Sequence, residues 1–226
     1  MKIVKFDSSR TTWIFPLEEF IPVAGLDAKS ILAAIGARYD FGRLPTLTTR
    51  EEMAKIGLPF GVGRFDIGEA KVGVSDFIIY NDGLAAVAEK TEWAEDFLED
   101  LVPWITREFN FRSITTSIRH LYSSTVIVDF ERPLSRLVSG YEKLSELISS
   151  RTVSAMRAQG PMQFARLDFE VDKTTMVGDI PSPKFVLERR SGVEFGRERY
   201  YSQAAMQTSA HIEVLTEIEK IAGQNR

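Results

Sequence analysis

The sequence predicts an α+β fold: a mainly antiparallel sheet, mixed if its middle stretch adds parallel neighbours, covered by three to four helices. Short runs with alternating apolar and polar residues come in clusters, rather than in the regular strand–helix alternation of a doubly wound sheet. Longer stretches keep apolar residues at helical spacing, several with a capping residue in front. Across 226 residues, 44% are hydrophobic and 11% aromatic, enough to bury a core and too many for a solvated polymer.

In order, Ile3–Phe6 and Thr12–Phe15 flank the polar run Asp7-Ser8-Ser9-Arg10 and predict an opening hairpin, after which Pro16 and Pro22 bracket a turn out of the sheet. Asp27 predicts the N-cap of a helix to Tyr39 with Ile31, Leu32 and Ile35 on one face. Thr49-Arg50-Glu51-Glu52 is a capping-box signal for a short helix stopped at Gly57. Residues 60–88 predict an antiparallel meander. It is clearest at Phe77–Tyr80 and Leu84–Val87, joined by Asn81-Asp82-Gly83, residues that tolerate positive φ. Thr91 then caps a long helix to Phe109 with Trp93, Phe97, Leu98, Leu101, Trp104 and Ile105 on its apolar side, and Pro103 predicts a kink or break near residue 102.

Tyr122–Phe130 reads as a strand with Val126, Val128 and Phe130 on one face. Pro133 fits the first position of a helix to Ser149 that carries Leu134, Leu137, Val138, Tyr141, Leu144 and Ile148. Ala165, Leu167, Phe169 and Val171 alternate with Arg166, Asp168, Glu170 and Asp172, the pattern of a strand with one buried face. Residues 173–183 read as a loop, and Phe185–Arg190 and Arg197–Ser202 as strands joined through Ser191-Gly192. Thr208 or Ser209 opens a final helix with Val214, Leu215, Ile218 and Ile221 inward. Without an internal repeat or a long linker, residues 1–226 read as a single domain, and 151–161 is the best boundary if there are two.

Composition excludes several chemistries. With no Cys and two His, the chain alone offers no disulfide, thiolate nucleophile, zinc finger or iron–sulfur ligand set. No apolar run approaches the roughly 18–20 residues of a membrane span. A net charge of −4 counts against a surface built throughout for nucleic acid. Charges interrupt the apolar residues of Met1–Asp7, so no signal-peptide core is present and a cytoplasmic location is expected. The two His are isolated, with His211 read as a surface or capping residue, so no metal and no cofactor are expected. The glycines of Gly61–Gly68 lack phosphate-loop spacing and read as sites of close backbone approach.

Two clusters stand out. Glu92, Glu95, Asp96, Glu99 and Asp100 fall at helical spacing on the polar side of the helix from Thr91, an acidic stripe that is either a solvated face or a dock for a basic partner. The segment 184–201 carries Lys184, Arg189, Arg190, Arg197 and Arg199 among Phe185, Phe195, Tyr200 and Tyr201. Its Arg and aromatic side chains suit base stacking, covering a core rim, or meeting the acidic stripe of the same or another copy. A third candidate is the strand start, where His120, Tyr122 and Ser124 share a face and a Ser–His pair is conceivable. The residues Asp82, Glu89, Lys90 and Glu92 near a hairpin end add carboxylates that nothing singles out.

Three functions follow. The preferred one is a non-enzymatic interaction or assembly component that docks to another protein chain or to itself as a homo-oligomer, through the acidic stripe and the Arg/Tyr segment. The others are an enzyme or small-molecule binder at His120/Tyr122/Ser124, and a nucleic-acid module using Arg189, Arg190, Arg197, Arg199, Tyr200 and Tyr201. No membrane partner is expected.

Overall fold

The computed structural model describes the chain apart from residues 24, 26, 48, 157–161, 173, 175–182 and 225–226, and side chains are also left aside at 50 and 153–156. In chain order the elements are β1 (Lys2–Phe6), β2 (Ser9–Ile14), α1 (Ala28–Arg38), α2 (Arg50–Ile56), β3 (Leu58–Phe60), β4 (Gly63–Ile67), β5 (Ala70–Val74), β6 (Asp76–Tyr80) and β7 (Gly83–Ala88). There follow α3 (Thr91–Glu108), β8 (Arg119–Asp129), α4 (Tyr141–Met156), β9 (Arg166–Glu170), β10 (Lys184–Arg189), β11 (Arg199–Ala204) and α5 (Thr208–Gln224). The fold is α+β, and every strand pair whose register is given is antiparallel.

The chain forms two compact units. The first is Asp7–Ser124 with Ala205–Thr208; the second is Met1–Phe6, Thr125–Ala204 and Ser209–Arg226. The division does not fall at 151–161: residues 151–156 belong to α4, and 157–161 lie outside the described residues.

In the first unit the strand order is β3-β6-β7-β2, with β2 also paired to the opening half of β8. The helix α3 packs on β2 and β7, where Ser9, Thr11, Ala86 and Ala88 keep the sheet surface low. Phe97, Leu98 and Leu101 of α3 are wholly buried in one core with Phe60, Phe77, Ile35 and Tyr39. The capping residues act as predicted: Asp27 accepts from the Ser30 N–H, and Thr49 and Glu52 close a reciprocal capping box. The positive φ of the β6–β7 connection falls on Gly83 rather than on Asn81 or Asp82, and a Cβ there would land on the Trp13 carbonyl oxygen. In place of a full meander, β4 and β5 pair as a separate two-stranded sheet.

In the second unit β1 pairs with the far half of β8, and β10 lies between β11 and β9. Its buried residues include Val126, Val128, Leu134, Leu187, Tyr200 and Leu215.

Several expectations need correction. The strands β1 and β2 form no hairpin; each pairs with β8, β1 along Val126–Asp129 and β2 along Arg119–Ser123. The eleven residues of β8 give both a partner, and Asp7-Ser8 lacks the glycine that tight primed turns favour. The helix α3 is continuous through Pro103, which is exposed, so the carbonyl it leaves without a donor can turn to water. The helix expected from Pro133 is a short 3₁₀ turn at Leu134–Leu137: Val138 is extended and Gly140 sits at φ 72°, so α4 starts only at Tyr141. On α4, Leu144, Leu147 and Ile148 are exposed. The face of β9 expected to be buried is open, with Phe169 60% and Val171 44% exposed. On α5, Leu215 is buried but Val214 and Ile221 are exposed, and His211 lies on the buried face instead of the surface. Of the 173–183 loop, most residues lie outside those described.

Candidate functional site

The acidic stripe of α3 does not remain one face. A helical wheel puts Glu95 on the flank of the buried side that carries Val102, seven residues on, and puts Asp100 on the opposite flank. Asp100 turns to α1, where it accepts two bonds from the Arg38 guanidinium (3.0 and 3.2 Å) and one from the buried Tyr39 hydroxyl (2.7 Å). Burial and that carboxylate push the Tyr39 hydroxyl far up. Glu92 accepts from the Thr91 hydroxyl at 3.1 Å. Asp96 and Glu99 stay exposed, and Asp96 is shifted up by partial desolvation and then by the charge of Glu92.

Glu95 faces the sheet, its side chain only 13% exposed. There Trp13 of β2 and His120 of β8 are cross-strand partners with ring centroids 5.2 Å apart. Glu95 Oε1 accepts from the Trp13 indole N–H at 3.1 Å and lies 2.7 Å from His120 Nδ1. The carboxylate fixes Nδ1 as the donor, which leaves the lone pair of the neutral ring on Nε2. The Tyr122 hydroxyl lies 3.4 Å from the same Nδ1 and is hydrogen-bonded to Gln207. Burial raises the Tyr122 hydroxyl, and the charges of Glu95, Glu99 and Glu92 raise it further. Glu95 Oε2 is buried and has no hydrogen-bond partner among the described residues. A buried carboxylate oxygen without a donor costs on the order of 1–3 kcal/mol or more.

The conceivable pair of His120 with Ser124 is not formed. Ser124 shares the strand face of His120 and Tyr122 and is wholly buried, but four residues of extended strand separate it from His120 by about 13 Å. The partners of His120 are instead Glu95 and Trp13, which lie 25 and 107 residues from it in the chain and share no local motif with it.

In the second unit the Arg/aromatic segment is largely engaged in its own structure. The Arg189 side chain, 11% exposed, donates to the Phe164 and Phe195 carbonyls and to Glu198 at 2.7 Å, and lies over the Tyr200 ring. Glu198, at φ 48°, also accepts from the buried Tyr200 hydroxyl and the Leu134 N–H. Arg199 forms a two-bond pair with Asp129 at 2.6 and 2.7 Å, and this holds the Asp129 carboxyl below its ordinary range. Lys184 pairs with Glu170 at 3.4 Å. Arg190 and Arg197 are exposed and Tyr201 half-buried, so these three remain at the surface. His211 accepts or donates at 2.8 Å to Ser202 beside the edge of Phe185.

A polar groove of about 480 Å³ lies at Arg38, Tyr39, Asp40, Arg64, Lys71 and Asp100, but its Arg side chains are already paired with Asp100 and Asp40. No group of three or more potential metal-ligating side chains occurs among the described residues, and no helix there is long and apolar enough to cross a membrane. No protein-family model and no curated protein matches the chain.

Proposed function

We propose that the chain is a docking module that receives a Lys or Arg side chain of a partner protein on the acidic flank of α3. The observation that carries this reading is Glu95 Oε2, a buried carboxylate oxygen with no donor among the described residues. A cationic N–H group is the donor it lacks, and charge-assisted bonds of that kind are the strong ones. Two further features support the reading. Glu92 and Glu99 flank the site closely enough to act on Tyr122, so their field attracts a cation. His120 and Tyr122 present aromatic surface beside the carboxylate, which suits an ammonium or guanidinium stem. The cation enters past the exposed His120 ring.

The test is calorimetric titration with a Lys/Arg-bearing peptide and its acidic counterpart at low salt. Only the basic peptide should bind, with affinity falling as salt rises. Glu95→Gln keeps an acceptor for Trp13 but removes the charge, and should weaken binding by about tenfold or more. Equal binding by parent and variant, or none to any basic peptide, would overturn the reading.

The 2.7 Å contact of His120 Nδ1 with Glu95 favours a second reading, in which Glu95 orients His120 so that Nε2 takes a proton from a bound small molecule. Turnover of a substrate that is lost in His120→Gln while peptide binding is absent would select it.

A further inference from the structure

We propose that two copies of the chain join along β9, edge to edge and antiparallel, about a two-fold axis at Asp168. The strand β9 is the last of its sheet, with β10 as its one neighbour among the described residues. It is an unusual edge: short edge strands are normally blunted by charge or covered, yet here Phe169 is 60% and Val171 44% exposed. Phe169 and Leu167 lie on the sheet face of Phe185 and Leu187, their register partners. That face is buried at β10, where Phe185 packs on His211 of α5, and becomes open only at β9.

What identifies the occupant as a second copy is the order of residues along the strand. A two-fold centred on Asp168 sets Leu167 against Phe169 of the second copy and Arg166 against its Glu170. Apolar meets apolar on one face and cation meets anion on the other. The Asp168 carboxylates face each other on the axis, but each is already held by its own Arg166 at 2.7 Å, so the repulsion between them is screened. A shift of one residue would place each apolar side chain opposite the wrong face. The proposal is independent of the α3 site, whose residues all belong to the first unit.

Light-scattering chromatography and native mass spectrometry of the purified chain across a concentration series test this. A reversible dimer is expected. Phe169→Lys, at an exposed position, should keep the parent circular dichroism and raise the dissociation constant by about tenfold or more. Arg166→Glu should weaken the dimer too, and the double variant Arg166→Glu/Glu170→Arg should restore it, since it rebuilds the same pair in reverse. A chain that is monomeric at every concentration overturns the proposal and leaves that edge to a different protein. A dimer indifferent to Phe169→Lys, or not rescued by the charge reversal, overturns it as well.

Discussion

At the scale of single residues, two buried histidine and tryptophan environments make opposite demands. Trp13 donates one of the two described bonds to Glu95, so Trp13→Phe leaves that carboxylate with one donor fewer. The expected loss is about 1–2 kcal/mol or more in a urea melt, from a hydrogen bond to a charged group together with the volume lost from the core. The same loss in a Glu95→Ala background, where the acceptor is gone, would show that the bond is not its source. His211 is fully buried against Phe185 and Ser202, and burial lowers its pKa from 6.5 to about 4. The folded chain therefore keeps the ring neutral while the unfolded chain binds a proton below 6.5. This contribution is whole above that pH and is lost as the pH falls toward 4. Between pH 7 and pH 5 it should cost about 2 kcal/mol. His211→Gln should flatten that segment of the stability profile, and an unchanged slope would assign the acid sensitivity elsewhere. Gly83 has a backbone reason of its own: its φ is 152° and a side chain there would strike the Trp13 carbonyl, so Gly83→Ala should destabilise the unit by about 2 kcal/mol or more.

At the scale of elements, the start of α3 depends on a residue far along the chain. The Thr91 N–H donates to the Thr208 hydroxyl at 3.0 Å, the Thr208 N–H donates to the Thr91 hydroxyl at 2.7 Å, and Ser9 joins at 3.4 Å, all buried. Two helix N-termini thus satisfy each other's first donors without water. Thr91→Val keeps the shape and removes the hydroxyl, and should lower the melting free energy by about 2 kcal/mol. A melt equal to that of the parent would mean that solvent replaces the bond. The Asp27 and Thr49 caps were legible because capping chemistry is local, whereas Thr91, expected as a cap, is the first residue of α3 after the N-cap Lys90 and its hydroxyl bonds the distant Thr208 instead. The pairing of β1 and β2 with β8 was not legible, because the Asp7-Ser8 connection looks alike whether the chain reverses or runs on. The helix from Pro133 was misread for a different reason. Leu134, Leu137, Val138 and Tyr141 keep helical spacing, and the extended backbone of Val138 together with Gly140 at positive φ separates the 3₁₀ turn from α4. The site was half legible: acidic α3 and His120 were both singled out, but Trp13 and Gln207 come to them only through the sheet and the return of the chain at 205–208.

At the scale of the whole chain, connectivity decides how the protein can be divided. The first unit takes a long central stretch plus Ala205–Thr208, and the second takes the first six residues, the stretch from Thr125 and the C-terminal helix. Neither is one continuous length of sequence. A cut at 151–161, the place the sequence suggested for a boundary, would separate β1 and the far half of β8 from β9, β10, β11 and most of α5, which belong to one unit with them. Fragments 1–156 and 162–226 should therefore behave differently from separate domains. The C-terminal fragment holds β9, β10, β11 and α5 without the β8 residues Val126 and Val128 that fill their unit's core, and should remain unfolded alone, with collapsed amide dispersion in its proton–nitrogen spectrum. The N-terminal fragment keeps α3 and its core intact but lacks Thr208, the buried partner of Thr91, and should melt at a lower temperature than the full chain. Mixing the two should recover dispersion in the C-terminal fragment, because its missing strands arrive with the other piece. A C-terminal fragment that gave a dispersed spectrum and a cooperative melt by itself would show that β9–β11 and α5 form a core without β8, and that the discontinuous unit is not what folds.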